Sequence, residues 1–273
     1  MKKIKYILLL LVFVVGCDIE DVSNYTDGNP PTAPKNLYSI TGDNRVDLAW
    51  DNNYERDLDF YNVYFSSSYD GAYHFLGSTS TNYYIDYTAR NGVTYYYAVT
   101  AVDRSGNESE LSYDEVFDTP RPEGFNQTVF NYNNYPEKAG YSFSMNRTVG
   151  YDSDNADFFY EVYNNKLYLD VWSDSDIQDM GRTIDIYDIS YAPTTGYVPL
   201  KDGENIKYTE IFIGHTYVIW TWDNHFAKIR VSNVTPERIV FDWAYQTVEG
   251  NRELKRYVNS FNRYDENKSV IRN

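Results

Sequence analysis

The sequence predicts an all-β protein, antiparallel and arranged as two consecutive units. Three observations carry this expectation. From Pro31 onward, apolar and polar residues alternate in short runs, the period-two pattern of half-buried strands. Gly, Asn, Asp and Ser separate the runs, and the first ninety or so residues of this region show no helical period. Tyrosine, which favours strands, occurs 30 times in 273 residues. That strand preference accounts for its abundance without invoking a sugar-binding surface.

The chain opens with MKKIKYILLLLVFVVGC, Met1 to Cys17. Three lysines precede an apolar run from Ile7 to Val15. The run is too short to span a bilayer and has the order of an export signal. Val14-Val15-Gly16-Cys17 resembles a bacterial lipobox, and Cys17 is the sole cysteine of the chain. The resemblance implies cleavage before Cys17 and acylation (palmitate among the chains) of that residue. It also implies residence in the cell envelope, at the outer membrane or cell surface. One acyl chain anchors only marginally, whereas lipobox proteins carry several. With Cys17 acylated no disulfide can form, so packing alone must hold the fold.

Removing the signal sheds three lysines and takes the net charge from −16 to −19. Such an acidic chain repels phosphate backbones, which excludes nucleic acid as a partner and leaves the lipid as the membrane attachment. Residues 18–30 are polar, acidic and turn-rich, and read as a flexible tether.

In residues 31–120, three faces stand out: Val46/Leu48/Trp50, Tyr61/Val63/Phe65 and Tyr95/Tyr97/Val99/Ala101. PPTAPKNL, VDLAW, YNVY and GVTYYYAVTAVDRSGNES follow in the order and spacing of seven strands. This region resembles a fibronectin type III domain. The resemblance implies a β-sandwich with Trp50 in the core of the second strand and Tyr95 as the tyrosine corner. It also implies a spacer or protein-binding role. Asp118–Gly124, with two prolines and a glycine, marks a boundary.

Residues 125–254 read as a second β-rich domain. Its expected strands are Tyr141–Asn146, Asp157–Tyr163, Lys166–Trp172, Tyr208–Ile213, Thr216–Trp222, His225–Val231 and Arg238–Gln246. Taking Asp223-Asn224 as a two-residue turn pairs Trp220 with Ala227 and Val218 with Ile229. That register makes Trp220 and Trp222 packing residues on one apolar face with Val218, Ala227, Ile229 and Val231. YVIWTWDNHFAKIRV and RIVFDWAYQTVEGNREL are similar to the C-terminal segment of haem-carrier (haemophore) surface lipoproteins. This similarity implies a carrier of a small apolar ligand such as haem. Residues 255–273 are polar and charged and read as a frayed tail.

Three histidines are present: His74, His215 and His225. In the expected hairpin, His215 and His225 lie about 23 Å apart at ~3.3 Å per residue, too far to share one iron. His225, beside the turn, is the one candidate ligand-binding residue. Asp152, Asp154 and Asp157 resemble half a calcium loop but lack its sixth-place glycine and twelfth-place glutamate. Asp174, Asp176 and Asp179 form a similar cluster, and both read as solvated acidic loops with no metal. No nucleophile elbow, zinc-binding helix motif or phosphate-cradling loop is present. No catalytic residue and no cofactor is expected. The sequence thus predicts a lipid-anchored envelope protein that binds an extracellular protein or glycan, with the C-terminal domain as recognition unit. The alternatives are the haem-type carrier and an accessory polysaccharide-acting enzyme.

Overall fold

The computed structural model describes residues 28–254 and 269–271. Cys17, the signal segment, most of the tether and residues 255–268 lie outside the described residues. Strands β1 (Tyr38–Gly42), β2 (Arg45–Ala49), β3 (Leu58–Ser66), β4 (Ala72–Thr79), β5 (Tyr83–Asp86), β6 (Tyr95–Asp103) and β7 (Val116–Asp118) build the first sandwich. They divide into a β1-β2-β5 sheet and a β4-β3-β6-β7 sheet. The apolar faces read from sequence meet between them. Val46, Leu48, Trp50, Tyr61, Val63, Tyr97, Val99 and Ala101 share one core. Trp50 is 3% exposed and meets the Tyr61 ring edge-on at 5.3 Å. The Tyr95 hydroxyl accepts the Arg90 backbone N–H at 3.2 Å, the bond a tyrosine corner makes.

The second sandwich comprises β8 (Glu123–Phe130), β9 (Gly140–Ser142), β10 (Arg147–Val149), β11 (Phe158–Tyr163), β12 (Lys166–Trp172), β13 (Asp176–Arg182), β14 (Ile206–Glu210), β15 (His215–Trp220), β16 (Phe226–Val234) and β17 (Arg238–Gln246). Its sheets run β10-β9-β11-β12-β14 and β13-β15-β16-β17-β8. Between them lies an aromatic core in which Tyr141 contacts Phe143, Phe158, Phe241 and Trp243. The tail does not simply fray: Ser269–Ile271 form β18, parallel to β4. A Ser-Val-Ile run suits the otherwise open edge of that sheet.

The β15–β16 hairpin corrects the expected register. Trp220 pairs with Phe226, Ile219 with Ala227 and Tyr217 with Ile229. The loop holds three residues rather than two. Thr221 N–H donates to the His225 carbonyl at 2.9 Å, and Asn224 N–H donates to the Thr221 carbonyl at 3.0 Å. Asn224 takes the left-handed conformation (φ 62°) that closes a three-residue hairpin. One extra loop residue exchanges the faces of β15. Tyr217 and Ile219 now enter the core with Ala227, Ile229 and Val231. Trp220 and Trp222 leave it, at 37% and 58% exposure.

Lys228 comes to lie on the same side as Val218, fully buried. Segment 183–198 covers that side, and Ala192, Val218, Phe226 and Leu254 form a second small core there. The Lys228 ammonium donates to the Ile189 carbonyl at 2.8 Å, so the buried charge is solvated by backbone.

Thr119–Pro122 joins the sandwiches as a buried strap. Arg121 N–H donates to the Gly42 carbonyl of the first sandwich at 3.1 Å, and Tyr245 N–H of the second donates to the Pro122 carbonyl at 3.0 Å. The Arg121 side chain is fully buried; its Nε donates to the Leu254 carbonyl and its Nη1 lies 3.4 Å from the Glu123 carboxylate.

Candidate functional site

The corrected hairpin creates a site at its own tip. A shallow cleft of about 250 Å³ is lined by Asp174, Asp176, Trp220, Thr221, Trp222 and Asn224. Trp220 is braced from two sides. Its ring stacks on Phe226 at 5.3 Å with 25° between planes, and its Nε1–H donates to Asn224 Oδ1 at 3.0 Å. Tyr197 approaches at 6.0 Å. Asn224 is tied in turn to the neighbouring turn, where Gly250 N–H donates to its carbonyl at 2.8 Å. Trp222 rides the loop and presents more than half its surface to water.

The opposite wall comes from the β12–β13 turn. Lys207 Nζ donates to Asp176 at 2.7 Å and to the Ser175 carbonyl at 2.8 Å. This fixes the Asp176 carboxylate and balances its charge. Asp174, next to it, is exposed. The cleft therefore offers two indole surfaces, a carboxylate held in place, a second exposed carboxylate and an amide. Tryptophan is amphipathic, and a ring braced from below is a flat apolar platform with a polar edge. Such a surface suits a ligand with apolar C–H faces and a rim of hydroxyls.

Of the residues singled out from sequence, His225 sits in the loop but does not line the cleft. Its Nδ1 is 3.2 Å from Asp223, and its ring faces Tyr245 at 5.5 Å. His215 pairs with Asp179 at 3.0 Å, and His74 lies exposed on β4. The two acidic clusters are split. Asp157 is buried and accepts the Phe143 N–H at 2.7 Å, while Asp176 and Asp179 pair with Lys207 and His215. Among the described residues, no group of three or more His, Cys, Asp and Glu is placed to hold a metal ion. Trp220 and Trp222, expected in the core, line the cleft instead. The missed signal was Asn224, a residue able to adopt the left-handed conformation that lengthens the loop.

No family model matches the chain. An amylopullulanase of Thermoanaerobacterium saccharolyticum is 38% identical over 91 residues, 33% of this chain and 7% of that protein. An amylopullulanase of Thermoanaerobacterium thermosulfurigenes is 32% identical over 158 residues, 57% of this chain and 7% of that protein. The chain thus spans less than a tenth of the length of these curated relatives. A solved Fn3-like protein from Clostridium thermocellum is 27% identical, with 35% of this chain and 100% of that chain covered at a TM-score of 0.30. By strand order, buried Trp50 and the Tyr95 corner, the β1–β7 sandwich is a fibronectin type III domain.

Proposed function

We propose that this protein binds neutral polysaccharide at the cell surface. Its recognition element is the Trp220–Trp222 cleft, its spacer is the fibronectin type III module, and its anchor is lipid on Cys17. The observation that carries the reading is a pair of exposed tryptophans, one at the end of β15 and one on the loop after it, beside a fixed carboxylate. Large apolar rings held in water are informative where a buried ring is not. The cleft volume matches a short stretch of sugar, and its carboxylates and amide accept hydroxyl protons. The curated relatives support the reading, because matching segments occur in proteins named for action on polysaccharide. Those segments are a small part of the relatives, and this chain is given a binding role and not their activity. The haem-carrier alternative would draw on His225, whose ring faces Tyr245 and not the cleft.

The test is electrophoresis of the full chain through native gels containing pullulan, amylopectin, mixed-linkage β-glucan or glycol chitin. Retardation on at least one is expected, weakened by Trp222→Ala while circular dichroism shows the fold retained. About two-fifths of Trp222 is buried, so its removal costs on the order of 1–2 kcal/mol and leaves the sandwich core intact. Free migration of the wild type on every gel, or equal retardation of Trp222→Ala, refutes the proposal.

A further inference from the structure

A second cleft opens on the other sheet of the C-terminal sandwich. It encloses about 510 Å³ and is lined chiefly by Glu161, Tyr163, Lys166, Tyr168, Glu204 and Tyr208. The β11–β12 turn builds one end of it. Asn164 and Asn165 are both left-handed (φ 49° and 61°), which fixes a two-residue turn and sets Tyr163 opposite Lys166. Alternation then sends Leu167 and Leu169 toward the core and Lys166, Tyr168 and Asp170 to the outer face. From β14, Tyr208 pairs with Asp170 and meets the Tyr168 ring edge-on at 5.4 Å. Tyr163 is 60% exposed at the rim.

Asp170, between Phe159 of β11 and Tyr208 of β14, has no exposed surface, and neither of its carboxylate oxygens accepts a hydrogen bond. Its register places it diagonally across from Glu161 on the same face. Burial pushes the Asp170 carboxyl well above the usual carboxylate range, and the adjacent Glu161 pushes it the same way. Two carboxyl groups this close, one of them buried, disfavour a second negative charge in the pair. Tyr132 donates to the Glu161 carboxylate at 3.3 Å. The Tyr132 hydroxyl thus holds Glu161 in the cleft wall as an acceptor. The cationic positions are already filled from within the protein: Lys166 pairs with Glu210 at 2.9 Å, and Lys201 sits 4.2 Å over the Tyr208 ring. Tyrosine rings, a fixed acceptor and occupied cation positions fit a neutral hydroxylated ring better than an amine or an anion.

We infer that this cleft is a second binding site for a neutral pyranose chain, on the opposite sheet from the hairpin tip, so that one molecule holds two glycan chains. It runs along β12 and β14 from Tyr163 and Lys166 to Ile206, which pairs with Trp172, whereas Trp220, Trp222 and Asn224 of the tip cleft belong to the other sheet and its hairpin. The ligand class rests on the proposed function, and the location does not.

Calorimetric titration of the full chain with maltohexaose, cellohexaose and chitohexaose tests it. For the hexaose that binds, two sites per chain are expected. Trp222→Ala leaves one, Tyr163→Ala leaves one, and the double variant leaves none. Glu161→Gln in the Trp222→Ala background should weaken the remaining site at least tenfold with the melting temperature retained. A single wild-type site lost in Trp222→Ala overturns this inference and leaves the tip assignment standing. A single site lost in Tyr163→Ala supports this cleft and overturns the tip. No binding of any hexaose overturns both.

Discussion

Replacing Arg121 with alanine probes the joint between the sandwiches most directly. The side chain is buried, its Nε holds the Leu254 carbonyl, and its Nη1 faces Glu123, whose own side chain is 8% exposed. The other Glu123 oxygen accepts the Tyr187 hydroxyl at 3.0 Å, and buried Asp118 also feels the guanidinium charge. Truncation therefore strands a carbonyl and leaves two buried acids without their cation. Breaking a buried ion pair from one side costs about 3–5 kcal/mol. The 3.4 Å separation puts this pair at the lower end, so a loss of about 3 kcal/mol is expected. Against a total stability of roughly 5–15 kcal/mol, that is a large fraction. Urea denaturation of the full chain, followed by tryptophan fluorescence and far-ultraviolet circular dichroism, measures it. Arg121→Met combined with Glu123→Gln should recover part of the loss, because it removes the charge left unpaired as well as the charge that paired it. A cost for Arg121→Ala below about 1 kcal/mol, or a double variant no better than Arg121→Met alone, refutes the assignment of Arg121 as the joint.

Further outcomes follow from single residues. Burial raises the Asp157 carboxyl from its ordinary 3.8 to about 7, so the folded state binds more protons and stability falls as pH rises between those values. Asp157→Asn should accordingly raise the melting temperature at pH 8 and leave it unchanged at pH 3.5; an equal shift at both would exclude this linkage. Trp50→Ala should destabilise the fibronectin type III sandwich by about 3–5 kcal/mol, and a denaturant-measured cost below about 1 kcal/mol contradicts its place in the core. Asn224→Ala should cost about 1–2 kcal/mol, since alanine resists the left-handed conformation and the Trp220 Nε1 bond is lost; an unchanged melting temperature speaks against the three-residue loop. Labelled fatty acid should enter the wild-type chain and not Cys17→Ser, and equal labelling of both removes the proposed anchor.

The first sandwich could be read from sequence because β2 presents one clear apolar face that fixes its register. Val46, Leu48 and Trp50 alternate with Asp47 and Ala49, so only one register buries the apolar set. The β15–β16 hairpin does not have that property. Tyr217 and Ile219 are as apolar as Val218 and Trp220, and either pair could face the core. The decision lay in a loop residue and in segment 183–198, which covers the second face and gives Lys228 a carbonyl partner. Strand β13, DIQDMGR, carries no apolar alternation, since Ile177 is its one fully buried residue. The Asp170–Glu161 pair was invisible for a different reason: two acids nine residues apart meet only through the register of β11 and β12.

The choice between registers also bears on function. With Trp220 and Trp222 turned inward, the hairpin would have buried its largest apolar surface and stranded Tyr217 and Ile219 outside. Burial at roughly 25 cal/mol per Å² of apolar surface favours hiding indoles wherever packing permits. Here Trp243 already fills the centre of the core, fully buried among Tyr141 and Phe143. The tip tryptophans are held outside by named contacts: Phe226 beneath Trp220, Asn224 on its nitrogen, and Gly250 on Asn224. These contacts cover the underside of Trp220 and leave its outer face, 37% of the residue's surface, in water. They also preorganise the ring, so less freedom is lost when a ligand settles on it. A loop that merely failed to bury its tryptophans would leave them loose, and the bracing beneath Trp220 is what separates a binding platform from an unpacked turn.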